Sequence, residues 1–207
     1  MNRFGNIFFC LCAALLLTFS QGHAATIFWS DGFETNAPHS RWTATGAWHI
    51  GSPTKGASKA HSGANCALTQ NYLYNQDGRI VCTNYLNGGN SLVVPDASVS
   101  PTLTYWQWVN LANALGYVEI STDGGGSWQE IQSTSMQPPL TSGGAWVQNS
   151  FDLSPYAGQS VQIAFHFTSG GCCGNAEGWY VDDVTLTVVP VIVVSVPTMQ
   201  TVYAGQP

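Results

Sequence analysis

Two adjacent carboxylates, Asp182 and Asp183, stand in the run Gly178-Trp179-Tyr180-Val181-Asp182-Asp183-Val184-Thr185-Leu186. Side chains of this kind can ligate a metal, accept hydrogen bonds or move protons. The run alternates as a strand does, so Val184, Leu186 and Val188 are expected on the core face and Thr185 and Thr187 on the solvent face. Counting back puts Asp182 inward and Asp183 outward. An inward carboxylate is costly unless it is paired, hydrogen-bonded or bound to a cation. No Lys or Arg occurs after Arg79. The partner of Asp182 is then a calcium ion, which takes oxygen ligands of this type, backbone amides of the neighbouring terminal strand, or a basic residue between Arg41 and Arg79.

A second acidic pair lies in Trp29-Ser30-Asp31-Gly32-Phe33-Glu34. Phe33 reads as a core anchor. Asp31 and Glu34 have no basic neighbour in the local sequence. If the first and last strands are adjacent, these acids approach Asp182 and complete an oxygen cage that staples the ends of the domain. The plainer reading is solvated acids on an edge strand.

Other chemistry is scarce. There is no HExxH and no GxSxG, so neither a zinc peptidase helix nor a nucleophile elbow is present. Asp182 and Asp183 are expected on opposite strand faces, unlike glycosidase carboxylates that flank one bond. Cys172 or Cys173 would need a low-pKa thiolate to act as a nucleophile, which export disfavours. The chain is expected not to be an enzyme. Trp106 and Trp108 share one strand face; exposed, they would form a sugar platform, and buried, they are ordinary packing. The stretches Gly170–Asn175 and Tyr72–Asp77 are further candidates for a binding rim, since loops carry function on sandwiches.

The elements that must hold these residues are strands. Helical periodicity is nearly absent. Short apolar or alternating runs recur between Gly, Asn, Pro and Ser clusters, at Thr26–Trp29, Cys66–Thr69, Ser91–Val94, Thr102–Val109, Gly116–Ser121, Trp128–Gln132, Ala145–Phe151, Val161–Phe167 and Trp179–Val189. Such spacing predicts two packed antiparallel sheets. Ser121-Thr122-Asp123-Gly124-Gly125-Gly126-Ser127-Trp128 joins two of these runs and matches the Asp-box pattern, with Asp123 bonding across the turn and Trp128 covering it. A single box without repeats reads as a structural hairpin and excludes a propeller.

Residues 1–24 read as a secretory signal: Arg3, an apolar run from Ile7 to Phe19, and Gly22 and Ala24 before the cut. Cleavage takes Arg3, Cys10 and Cys12 with it. The chain is thus expected to be secreted, with Cys66, Cys82, Cys172 and Cys173 remaining as disulfide cysteines. Cys66–Cys82 with a vicinal Cys172–Cys173 bridge is the favoured pairing; bridges from the vicinal pair to the other two are the alternative. Residues 25–189 form the domain. Residues 190–207 read as a linker and the opening strand of an immunoglobulin-like domain.

Composition narrows the partners. Of 207 residues only 8% are charged, and the formal charge is −6. From Val81 to Pro207 there are eight acids and no base, which excludes a nucleic-acid groove and a polybasic membrane contact. With 44% apolar residues and 8 Trp, a core is still assured.

Several motifs in order carry a resemblance: Phe33-Glu34, Ala60-His61-Ser62-Gly63, the Val118–Trp128 hairpin, Trp146 followed by Phe151-Asp152-Leu153-Ser154-Pro155-Tyr156-Ala157-Gly158, and Gly178–Leu186. Together, over about Thr26 to Val189, they resemble the MAM/laminin-G-like jelly-roll domain that accompanies secreted metallopeptidases of the immune inhibitor A type and bacterial surface proteins. The resemblance implies an all-β, antiparallel two-sheet jelly-roll sandwich. It implies a calcium near the termini, held by Glu34 and Asp182, with Asp31 and Asp183 beside them. It also implies a non-catalytic binding or adhesion module for surface carbohydrate or protein. An accessory domain parted from its metallopeptidase and a structural spacer are the rivals.

Overall fold

The computed structural model describes residues 24–34, 41–70, 74–83, 89, 91–131, 140–171 and 176–189. The expected signal, apart from Ala24, the vicinal Cys172 and Cys173, and the tail from 190 lie outside the described residues.

Among the described residues thirteen strands form two antiparallel sheets, the sandwich expected from the alternating runs. One sheet orders β10 (Leu140–Thr141), β7 (Thr102–Leu111), β13 (Gly178–Val188), β4 (Cys66–Leu68) and β3 (His49–Gly51), with β1 (Thr26–Asp31) on β13 and β11 (Val147–Asp152) on β7. The other orders β2 (Trp42–Ala44), β5 (Asp77–Cys82), β12 (Ser160–Ser169), β8 (Ala114–Ser121) and β9 (Gln129–Glu130), with β6 (Leu92–Val93) on β12.

Inward residues of both sheets build an aromatic-rich core. Tyr105 and Trp179 of the first sheet meet Phe165 of the second edge to face, with ring centroids 4.9 and 5.7 Å away. Phe33 is the anchor its position suggests, fully buried and 5.1 Å from Trp42. Its φ of +60° is steadied by Asp31 Oδ1, which accepts from the Phe33 amide at 2.8 Å. A smaller cluster of Cys66, Leu68, Trp108 and Tyr180, with Ala57 and Ala60 from the 52–65 loop, is separate from this core.

Two departures from the sequence reading concern β13 and the cysteines. Trp179 and Val181 enter the core, whereas Tyr180 joins the smaller cluster. Asp182 pairs with Trp106 and follows the parity of Tyr180. A bulge between Asp182 and Thr185 then shifts the register, and Val184 and Leu186 return to the core. Asp183 takes φ +48° at the bulge. The extra residue flips the alternation, so counting back from Val184 assigned Asp182 to the wrong face. The Cys66–Cys82 bridge is likewise not formed. Cys66 is a free, buried thiol. It lies in β4 within the smaller cluster, and Cys82 lies in β5 of the other sheet within the main core.

Candidate functional site

Strands β4 and β1 line the same edge of β13, pairing at Tyr180–Val181 and Val184–Val188. The bulged Asp182 and Asp183 fall between them, and residues 60–65 pack there. Asp182 has no exposed surface. Its Oδ2 accepts from the amides of His61 (2.9 Å) and Ser62 (3.1 Å), and its Oδ1 from the Asp183 amide at 2.8 Å. Amides do hold it, two from this loop and one from its own strand, rather than from the neighbouring strand β1. Burial, with Asp183 alongside, outweighs these bonds and pushes its carboxyl up to about 7.

Asp183 holds the side chains of the same two loop residues. Its Oδ2 lies 2.6 Å from His61 Nδ1, and its Oδ1 accepts from the Ser62 hydroxyl at 2.7 Å. The His61 ring stacks on Trp106 at 3.9 Å and meets Trp146 edge-on at 5.8 Å. Glu34 Oε1 accepts from the amides of Ala64 (2.9 Å) and Asn65 (2.7 Å). Pairing of β1 with β13 therefore brings Glu34, Asp182 and Asp183 to one short loop, as the adjacency of terminal strands requires. Gly32 completes the convergence, lying against Asp183 Oδ1.

Asp31 behaves differently. Its Oδ2 pairs with Arg41 at 3.2 Å, so the local sequence concealed a basic partner ten residues on. Among the described residues no three His, Cys, Asp or Glu side chains are already gathered around one point as metal ligands. The chemistry that remains is charge. Burial, then the carboxylates of Asp182 and Glu34, push the Cys66 thiol up, so this cysteine is not an activated nucleophile. Ser62 and His61 both bond Asp183 rather than each other, which is not a nucleophile–base relay.

A second polar assembly was not anticipated. On the outer face of the β2–β9 sheet, Arg79 Nε donates to Glu119 Oε2 at 2.6 Å. His166 bridges Glu119 and Asp77 through its two ring nitrogens at 2.9 and 2.8 Å. Burial opposes a charged His166, but the bonds to Glu119 and Asp77 prevail and hold its pKa above the ordinary value. The signal lay in strand parity: register places His166 opposite both Arg79 and Tyr117. β5 was overlooked because its Asp77-Gly78 opening reads as a turn. The Asp-box forms as expected. Asp123 Oδ1 accepts from the Ser121 hydroxyl (2.7 Å) and the Ser127 amide (2.9 Å), and Oδ2 from the Ser127 hydroxyl (2.7 Å). These bonds, led by the Ser127 amide, draw the Asp123 carboxyl down to about 2.

The chain is thus an all-β sandwich module with a carboxylate-clamped loop on one sheet and a polar network on the other. No family profile matches it. It is 33% identical over 172 residues to Bacillopeptidase F of Bacillus subtilis (strain 168), covering 78% of this chain and 11% of that protein. It is 35% identical over 107 residues to the pre-pro-metalloprotease PrtV of Vibrio cholerae serotype O1 (strain M66-2), covering 47% of this chain and 11% of that protein. The chain therefore spans only a small fraction of these curated relatives. The K3 cleaved adhesin domain of Lys-gingipain from Porphyromonas gingivalis w83 superposes with a TM-score of 0.53 at 22% identity, over 79% of this chain and 99% of that one. That likeness concerns the fold. Among the described residues no helix is long and apolar enough to cross a membrane.

Proposed function

We propose that this chain is a non-catalytic binding or adhesion module of a secreted protein, with surface carbohydrate or protein as its target. The observation that carries the reading is a sandwich matching nearly all of an adhesin domain, together with alignment to short portions of two much longer proteins named as peptidases. The bonding of Ser62, His61 and Asp183 supports the non-catalytic part, because Ser62 and His61 each bond the Asp183 carboxylate and not each other, so no Ser–His–Asp relay is set up there. Alignment with a pre-pro-metalloprotease favours one second reading, an accessory domain that serves a peptidase elsewhere. The MAM-like resemblance belongs to this proposal and suits either reading. A glycan array and a pull-down with the intact chain test it: retention of at least one carbohydrate or surface protein is expected, and no ligand across a broad panel would overturn the binding reading and favour the spacer.

Calcium belongs to the same proposal as a stabilising ion at the clamped loop. Glu34, Asp182 and Asp183 are the residues that would hold it. What supports it is a wholly buried Asp182 beside a second carboxylate, on a loop that Glu34 also grips, with amide dipoles for compensation. The ion would supply positive charge that the second half of the chain lacks. Chelator should lower the melting temperature by several degrees and Glu34→Gln should remove that difference; a melting temperature indifferent to chelator would end the calcium reading.

A further inference from the structure

The outer face of the β2–β9 sheet carries a groove of about 410 Å³ between the β2–β5 edge and the Asp-box hairpin. Thr43, Thr83, Arg79, Val81, Gln162 and Trp128 line it. The volume lies in the range of small-ligand clefts, roughly 300–1,000 Å³. A protein partner needs about 800 Å² per side around an apolar, aromatic-rich centre. This groove is far smaller, and its lining mixes threonine hydroxyls, an amide, a guanidinium and a carboxylate with Val81 and one indole.

The groove is held in shape. The Asp123 bonds fix the hairpin that carries Trp128. At Gly125 even a Cβ would come within 3.0 Å of Gln162 Oε1, so the hairpin closes directly onto the sheet. The Arg79 backbone amide donates to Thr45 Oγ1 at 2.9 Å, and its guanidinium carbon lies 5.7 Å from the Trp128 ring centre.

Charge decides the class of ligand. Arg79 is the cation lining the groove, and Glu119 already pairs it. Asp77 also lines the groove, and Glu130 stands opposite Glu119 in the strand register. Among the described residues an anion would find no uncommitted cation lining the groove and three carboxylates nearby. A neutral polyol meets donors and acceptors that are part of a fixed network, and an indole suited to the apolar C–H surface of a sugar ring.

We propose that this groove binds a short stretch of a neutral glycan chain, with Trp128 against a sugar ring and Arg79, Gln162 and the threonines facing its hydroxyls. The proposal rests on the binding-module reading and gives it a site. Native gel electrophoresis of the intact chain through xylan, β-glucan, galactan or mannan tests it, with polygalacturonate as the anionic comparison. At least one neutral polysaccharide should retard the chain, and polygalacturonate should not. Trp128→Ala should weaken that retardation at least tenfold, and so should Thr43→Glu, which puts bulk and charge at an exposed groove position. If Trp128→Ala does not fold, as judged by its melting curve, Thr43→Glu decides alone. Full retardation in the folded variants, or retardation by polygalacturonate alone, overturns the groove while leaving the binding-module reading in place. So does a pulled-down protein whose capture survives both variants, with no neutral polysaccharide bound. No binding to any glycan or protein overturns both.

Discussion

Gly63 leaves no room for a side chain. Its φ is +57°, and a Cβ there would collide with the Glu34 carboxylate that caps the next two amides. Gly63→Ala should therefore cost about 1–3 kcal/mol, combining left-handed strain with a lost clamp. A thermal melt unchanged from wild type would mean the loop is not held as described. Cys66 supplies a second residue-scale prediction. It is fully buried, and both burial and neighbouring carboxylates disfavour its thiolate. Alkylation of the native chain followed by peptide mass mapping should leave Cys66 unmodified and label it only after unfolding; native labelling would contradict its placement. Asp182 shows where reading by parity stops. Its burial was legible in the sequence. Its face was not, because one bulge at Asp183 reverses every assignment upstream, and no residue in Val181-Asp182-Asp183-Val184 announces it.

At the scale of elements, each of the nine runs read as strands overlaps one, from Thr26–Asp31 to Gly178–Val188. Those missed, β2, β3, β5 and β10, are short or, like Asp77–Cys82, open on turn residues. β5 mattered most, since without it Arg79 had no place opposite His166 and the polar face of its sheet was invisible. The Asp-box was legible as a hairpin, but its role as a wall for Trp128 depends on β5 and β12 across the sheet. His166 ties β12 to β5 and β8 through Asp77 and Glu119, and its pKa is raised on folding. Such a group stabilises fully below its unfolded value of about 6.5, and the gain is lost as pH climbs through the folded value. Wild type should thus lose more melting temperature between about pH 6 and pH 9 than His166→Gln, which keeps hydrogen bonding without the charge. Equal losses in the two would show that the charged ring contributes nothing.

For the whole molecule, the shortage of basic residues has two consequences. It disfavours polyanionic partners, and it leaves the clamped loop with three carboxylates served by amides, one hydroxyl and His61. Both sheets spend their polar residues on holding the surface in place: Ser62, His61 and Asp183 on one, Arg79, Glu119 and His166 on the other. The most direct measurement is to incubate the intact chain with a carbohydrate or protein it retains and to weigh that ligand by mass spectrometry before and after. The account predicts that the ligand is bound and recovered with its mass unchanged. A cleaved or modified ligand, formed by wild-type chain and absent from a blank, would contradict it.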